Sequence, residues 1–162
     1  LTHPKVEIPE QTGEYAINSS NALHWDDPVR TYIDDCNRGK DGLRGRMFNM
    51  RWTGSPVADF YRILSRGGIY LYPGDRRREF RRGRLRLIYE ANPLAWVVEQ
   101  AGGAASTGRE RVLEVRPDKL HQRTPLIAGS RAEVEHVARL HDGRQIRGER
   151  SPLFSRRGLL RF

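Results

Sequence analysis

Ten residues, Arg84-Leu85-Arg86-Leu87-Ile88-Tyr89-Glu90-Ala91-Asn92-Pro93, constrain this chain more than any other stretch, together with the apolar run behind them that closes at Gly102-Gly103. Read as an extended strand, their side chains alternate between two faces. Leu85, Leu87 and Tyr89 fall on a core face; Arg84, Arg86 and Glu90 line the other, with Ile88 between them, successive members about 7 Å apart. Asn92-Pro93 then opens a helix, with Asn as N-cap and Pro in the first turn. A strand that ends in a carboxylate and turns into a helix is a place where a phosphate and its metal ion can be held. A solvated strand face followed by a capped helix accounts for the same residues.

The rest of the chain alternates in the same way. Glu14 to Asn18 reads as a strand and Ser19-Ser20-Asn21 as a polar turn. Asp27-Pro28 opens a helix whose face carries Val29, Tyr32, Ile33 and Cys36 before Gly39 stops it. Residues 37–46 form a basic, glycine-rich surface loop that matches no phosphate-loop fingerprint. Phe48 to Trp52 is a short strand, and Ser55-Pro56 starts a helix with Val57, Phe60, Tyr61 and Leu64 on one face. Ile69 to Pro73 is a strand, followed by a turn and a solvated arm of arginines at Arg76, Arg77, Arg78, Arg81 and Arg82. Leu94, Val97, Val98 and Ala101 mark the core face of the third helix. Ala104–Ser106, Val112–Val115 and Leu126–Ala128 read as strands, and His121 sits in a loop as a structural residue. Ser130-Arg131-Ala132-Glu133 is a capping box that opens the last helix, with Val134, Val137 and Leu140 as its stripe. Four one-sided amphipathic helices alternating with strands predict a layered α/β domain with a sheet between helices.

The chain has 162 residues, enough for one domain with a real core. Its formal net charge of +9 favours anionic partners, and arginine suits phosphate better than lysine does. The arginine loop has neither aromatic interleaving nor a groove-reading helix, so nucleic acid is not the expected partner. The single cysteine, Cys36, excludes an internal disulfide and a Cys-based zinc centre, and its place on the apolar stripe makes it a core residue. No apolar run is long enough to span a membrane, and Leu1-Thr2-His3-Pro4 resembles neither a signal nor a transit segment. A cytoplasmic chain is expected. Leu1 rather than Met opens it, which fits a fragment or a processed chain. Residues 143–162, rich in arginine and poor in apolar residues, are expected to be a disordered tail after a domain spanning 1–142.

Several ordered pieces together resemble class I fructose-1,6-bisphosphatases, most closely the proteobacterial branch. They are Tyr15-Ala16-Ile17-Asn18-Ser19-Ser20-Asn21, Asn49-Met50-Arg51-Trp52, Gly54-Ser55 with Val57-Ala58-Asp59, Arg62 with Gly67-Gly68, Gly68 to Pro73, Leu85 to Pro93, Glu99 to Gly103, and Leu120-His121-Gln122-Arg123. The resemblance covers that family's C-terminal half, and the Asp-Pro-x-Asp-Gly-Ser metal motif of the other half is missing here.

What the resemblance implies is specific. The fold would be a three-layer α/β/α sandwich around a central mixed sheet. The reaction would be metal-dependent hydrolysis of the 1-phosphate of fructose 1,6-bisphosphate to fructose 6-phosphate, in gluconeogenesis or the Calvin cycle, by a homo-oligomer that is a tetramer in the family. Asn18 resembles a 6-phosphate contact, and Arg51 the arginine that reaches a neighbouring subunit's 6-phosphate. Trp52 and Asn21 stand where members have tyrosines. Tyr72 and the Tyr70-Leu71 backbone match the strand beside the sugar phosphate. Arg84 replaces a substrate lysine, with Arg86 beside it. Glu90 matches a carboxylate ligand of the catalytic Mg²⁺ or Mn²⁺ ions, which need further ligands from the missing half. No catalytic residue is assigned in this half, and the chain alone is expected to be inactive. A sugar-phosphate-binding or regulatory module built from the same half is the alternative.

Overall fold

The computed structural model describes residues 5–143. In chain order the elements are β1 (Glu14–Ile17), a 3₁₀ turn (Ser19–His24), α1 (Asp27–Asn37), β2 (Asn49–Met50), α2 (Pro56–Arg66), β3 (Ile69–Tyr72) and β4 (Leu85–Arg86). There follow α3 (Asn92–Gln100), β5 (Ala104–Ser106), β6 (Arg123–Thr124), β7 (Leu126–Gly129) and α4 (Arg131–His141). The expected tail lies outside the described residues apart from Gly143.

Five strands form one sheet in the order β2-β1-β3-β7-β5. β1 runs parallel to β2 and β3, whereas β7 runs antiparallel to β3 and β5, so the sheet is mixed. Period-two alternation divides its side chains between two cores. Tyr15, Ile17, Ile69, Leu71 and Ile127 pack with Val29, Tyr32, Ile33 and Cys36 of α1 and with Val134 and Val137 of α4. Ala16, Tyr70, Ala105, Leu126 and Ala128 pack on the opposite side with Phe60 and Ile63 of α2 and with Ala95 and Val98 of α3. The result is the expected three-layer α/β/α sandwich around a central mixed sheet. At the end of β7, Gly129 has φ +144°, and a Cβ there would sit 2.1 Å from the carbonyl oxygen of Gly68, just before β3. Only glycine fits there. β4 and β6 form a separate antiparallel ribbon.

The stretch from Arg84 to Pro93 departs from its predicted form. The strand lasts two residues, and Leu87–Ala91 is a π turn that runs directly into α3. The Asn92 N–H bonds the Leu87 carbonyl, five residues back, and Asn92 has helical φ and ψ, so it is not an N-cap. Pro93 supplies the reason. Inside a helix its ring crowds the carbonyl four residues earlier and it lacks an N–H, and a widened turn relieves both. Leu85 and Leu87 remain buried, but Tyr89 leaves the expected core face and is 46% exposed.

Other differences have local causes. Asp26, not Asp27, caps α1, accepting from the Val29 N–H at 3.3 Å. Val57 and Tyr61 face solvent, and the buried face of α2 is Asp59, Phe60 and Ile63. On α3, Ala95 and Val98 are buried while Val97 is exposed. The predicted strand at Val112–Val115 is instead a 3₁₀ turn at Val112–Glu114, and that at Phe48–Trp52 shortens to Asn49–Met50. The capping box does not form: the Ser130 hydroxyl accepts from the Gly68 N–H at 3.1 Å, and Glu133 turns inward. Glu133 pins part of the loop expected to be a free surface segment. Arg44 and Arg46 donate to its Oε1 at 2.5 Å and 2.6 Å.

Candidate sugar-phosphate site

Because β1 and β3 are parallel neighbours, their C-terminal ends reach the same edge of the sheet, the usual place for a ligand in an open α/β sheet. Asn18 follows β1 directly. Its Oδ1 accepts from the Ser20 N–H at 3.1 Å and from the Ser20 hydroxyl at 2.6 Å, which caps the 3₁₀ turn. That turn brings Asn21 round to accept from Arg77 Nη2 at 2.9 Å. Tyr72 closes β3. Arg84 returns after the arginine loop, and its guanidinium carbon lies 3.5 Å from the centre of the Phe80 ring. Asn18, Asn21, Tyr72 and Arg84 line one concavity with Ile17, Trp25, Pro73 and Asp75; its free volume is about 10 Å³.

Asp75 holds this corner together. It is 7% exposed and accepts from the Arg77 backbone N–H at 3.0 Å, from the Arg77 guanidinium, and from Arg84 Nη2 at 3.4 Å. Burial alone would raise its carboxyl; the Arg77 hydrogen bonds and the charges of Arg77 and Arg84 outweigh that and hold it below the ordinary value. Arg84 is thus clamped between a carboxylate and an aromatic face. Sequence reasoning does not find Asp75 or Phe80. Gly74-Asp75 reads as a plain turn, and nothing in the spacing shows that the loop folds back on itself.

Arg51 and Trp52 sit beside this edge and not in the concavity. The buried Asp59 carboxylate accepts from Thr53 Oγ1 at 2.9 Å and from Arg62 Nη1 at 2.7 Å, and Arg62 Nη2 donates to the Arg51 carbonyl at 3.0 Å. The Trp52 ring stacks on Tyr70 at 5.6 Å and tilts against Tyr72 at 5.7 Å. Arg51 itself is exposed.

Tyr70 and Leu71, expected to contribute their backbone, carry buried side chains. Both are fully enclosed, and their residues pair with β1 on one side and β7 on the other. Neither side chain reaches the surface. Burial, with Tyr72, Asp59 and Glu90 nearby, pushes the Tyr70 phenol far above its ordinary value, and its hydroxyl has no hydrogen-bond partner among the described residues.

Arg86 and Glu90 face each other across the π turn. Glu90 Oε2 accepts from the Arg86 N–H at 2.6 Å and lies 3.7 Å from Arg86 Nη1. Glu90 therefore caps its own turn. Among the described residues no three His, Cys, Asp or Glu side chains are grouped to hold a metal ion. One carboxylate already engaged by a cation does not make a divalent-metal site, because Mg²⁺ requires several oxygen ligands.

Residues 8–142 match the family described as the fructose-1,6-bisphosphatase C-terminal domain. The chain belongs to that family. It is 55% identical over 161 residues to a class 1 fructose-1,6-bisphosphatase of Methylorubrum extorquens, covering 99% of this chain and 46% of that protein. A class 1 enzyme of Rhodopseudomonas palustris is 53% identical over the same length, with 99% and 47% covered. Among solved structures, the holo form of Leishmania major fructose-1,6-bisphosphatase superposes with a TM-score of 0.80 at 39% identity, over 86% of this chain and 41% of that one. The chain thus spans just under half the length of the fructose-1,6-bisphosphatases it matches. No helix among the described residues is long and apolar enough to cross a membrane.

Proposed function

We propose that the protein containing this fructose-1,6-bisphosphatase C-terminal domain hydrolyses the 1-phosphate of fructose 1,6-bisphosphate to fructose 6-phosphate, and that this chain supplies the surface for the sugar and its 6-phosphate. Family membership supports the reaction. The observation that carries this chain's part is the convergence of Asn18, Asn21, Tyr72 and Arg84 on one edge of the sheet. Asn18 and Asn21 contribute amide donors, since their oxygens are already engaged by Ser20 and Arg77. Arg84 contributes a planar guanidinium, fixed in place before any ligand arrives, so little ordering is required on binding. Arg51, held by its backbone and exposed in its side chain, is available to a second subunit in a homo-oligomer.

The divalent ions proposed for this chemistry, Mg²⁺ or Mn²⁺, activate water and stabilise phosphoryl oxygens when bound. Among the described residues, Glu90 is the carboxylate this chain would offer towards them. The 162-residue chain alone is therefore expected to release no phosphate from fructose 1,6-bisphosphate with Mg²⁺, and robust release would overturn the half-site reading. A cytoplasmic location and a role in gluconeogenesis or the Calvin cycle complete the proposal.

Calorimetric titration of the chain with fructose 6-phosphate tests the binding surface. Weak binding is expected, reduced about ten-fold by Arg84→Ala, the loss that accompanies one charge-assisted contact. Absence of heat even at high ligand concentration counts against the site.

A further inference from the structure

The arginine loop after β3 keeps Arg76, Arg78, Arg81 and Arg82 exposed, as expected, but its backbone is tied down. Asp75 forms a β-bridge with Trp25, and the Arg76 N–H donates to the His24 carbonyl at 2.9 Å. The N–H groups of Asp75 and Gly83 both donate to the Phe80 carbonyl, at 3.2 Å and 2.9 Å. Across a cleft of about 690 Å³ the loop faces the turn after β5 and strand β6. That turn is also fixed. The Gly108 N–H donates to Ser106 Oγ at 2.9 Å, and the Arg109 and Glu110 N–H groups donate to Thr107 Oγ1.

The charges in the cleft do not balance locally. Asp75 is taken by Arg77 and Arg84, Asp26 lies 3.3 Å from His141, and Asp118 lies 4.0 Å from Arg82. Among the described residues, Arg81, Arg109 and Arg123 line the cleft with no acidic partner within 4.0 Å, against one unpaired carboxylate, Glu110. The β4–β6 ribbon places Arg123 directly opposite Arg86, a like-charge cross-strand pair that is unfavourable unless an anion sits nearby. Arg86 has Glu90; Arg123 has no such partner among the described residues.

We infer that this cleft is an anion site for a small molecule bearing two phosphate groups, gripped by Arg81, Arg109 and Arg123. Three guanidiniums from three segments that line one cleft of small-molecule size suit paired phosphates better than a single one. All three are exposed at the rim of one cleft, within reach of a small anion entering from solvent. Gln122 adds a neutral donor, since its Oε1 already accepts from the Asp118 N–H. None of these three arginines is among Asn18, Asn21, Tyr72 and Arg84 of the sugar-phosphate reading, although Pro73 and Asp75 line both hollows.

The test is calorimetric titration of the 162-residue chain with inorganic pyrophosphate at about 0.15 M salt, where diffuse charge attraction is largely screened. One-to-one binding is expected, tighter than that of inorganic phosphate. Arg109→Ala and Arg123→Ala should each weaken it about ten-fold, and Arg84→Ala should leave it unchanged. Both first variants alter exposed side chains, and circular dichroism checks that they fold. ADP and fructose 1,6-bisphosphate, titrated into the R84A chain with and without R109A, distinguish a nucleotide from a sugar ester as carrier of the phosphates. No pyrophosphate binding, or binding lost in R84A but retained in R109A and R123A, overturns the inference. Loss of fructose 6-phosphate binding in R84A with pyrophosphate binding intact separates the fates of the two proposals.

Discussion

Tyr32 of α1 donates its hydroxyl to the Glu133 carboxylate of α4 at 2.8 Å, and neither residue has any exposed surface. The same carboxylate receives Arg44 and Arg46, whose guanidiniums lie over the Phe48 ring at 5.2 Å and 5.0 Å. One buried carboxylate therefore ties α4, α1 and the loop before β2 together. Glu133→Ala removes it and strands two cations and a hydroxyl, at an expected cost of about 3 kcal/mol. Urea unfolding at neutral pH measures this, and a loss under about 1 kcal/mol would mean that the cations are resolvated at no cost.

Two histidines of α4 titrate in opposite directions. Burial lowers His136, helped by the charges of Arg44 and Arg139. Burial would lower His141 too, but a hydrogen bond to Asp26 and the Val137 carbonyl raise it. The contribution of His141 is complete below its unfolded value near 6.5 and is lost as pH rises through its folded value. That of His136 is complete above 6.5 and is lost as pH falls. Urea midpoints from about pH 5 to 8 should therefore fall on both sides of a maximum. H141N should flatten the alkaline side and H136F the acid side; profiles that merely shift in parallel would reject both assignments.

Tyr70→Phe removes a buried hydroxyl with no partner among the described residues. Stability should hold or rise by up to about 1 kcal/mol, since no hydrogen bond is lost. Fructose 6-phosphate affinity should not change, because the phenol does not reach the surface. A drop in either quantity would show that the hydroxyl has a partner in solution.

Cys36 is 1% exposed, and burial pushes its thiol up to about 12. A chromogenic thiol reagent should leave the native chain unmodified at about pH 8 and modify one thiol on addition of urea. Fast labelling of the native chain would contradict the packing of α1 on the sheet.

Much of this architecture is legible in the sequence because it follows from periodicity. Val29, Tyr32, Ile33 and Cys36 at helical spacing, and Ile69 to Tyr72 as an apolar strand, need only the geometry of their own elements. The site is less legible for the opposite reason. Asn18 and Arg84 can be singled out one by one through the family resemblance, but Asp75, which clamps Arg84, works through a loop closure that no local pattern encodes. Glu133 escapes the reading because a capping box and a buried ion-pair hub have the same sequence signature. Tyr89 is misplaced when alternation is carried past Arg86, where Pro93 has already fixed the winding of the chain ahead of it.

That winding has a consequence for how this segment tolerates change. Each residue of an α-helix turns the chain by about 100°, and the π turn at Leu87–Ala91 contains one residue more than an α-turn closed by the same bond. Replacing Ile88 alters a surface, and replacing Tyr89 also costs its hydroxyl contact with His121 Nδ1 at 2.7 Å. Deleting either one would let the ordinary ladder close and swing Glu90 roughly a quarter-turn or more away from the Arg86 N–H. The junction between β4 and α3 is thus set by a count of residues as much as by their identities, and its length should resist insertion and deletion more than Ile88 resists substitution.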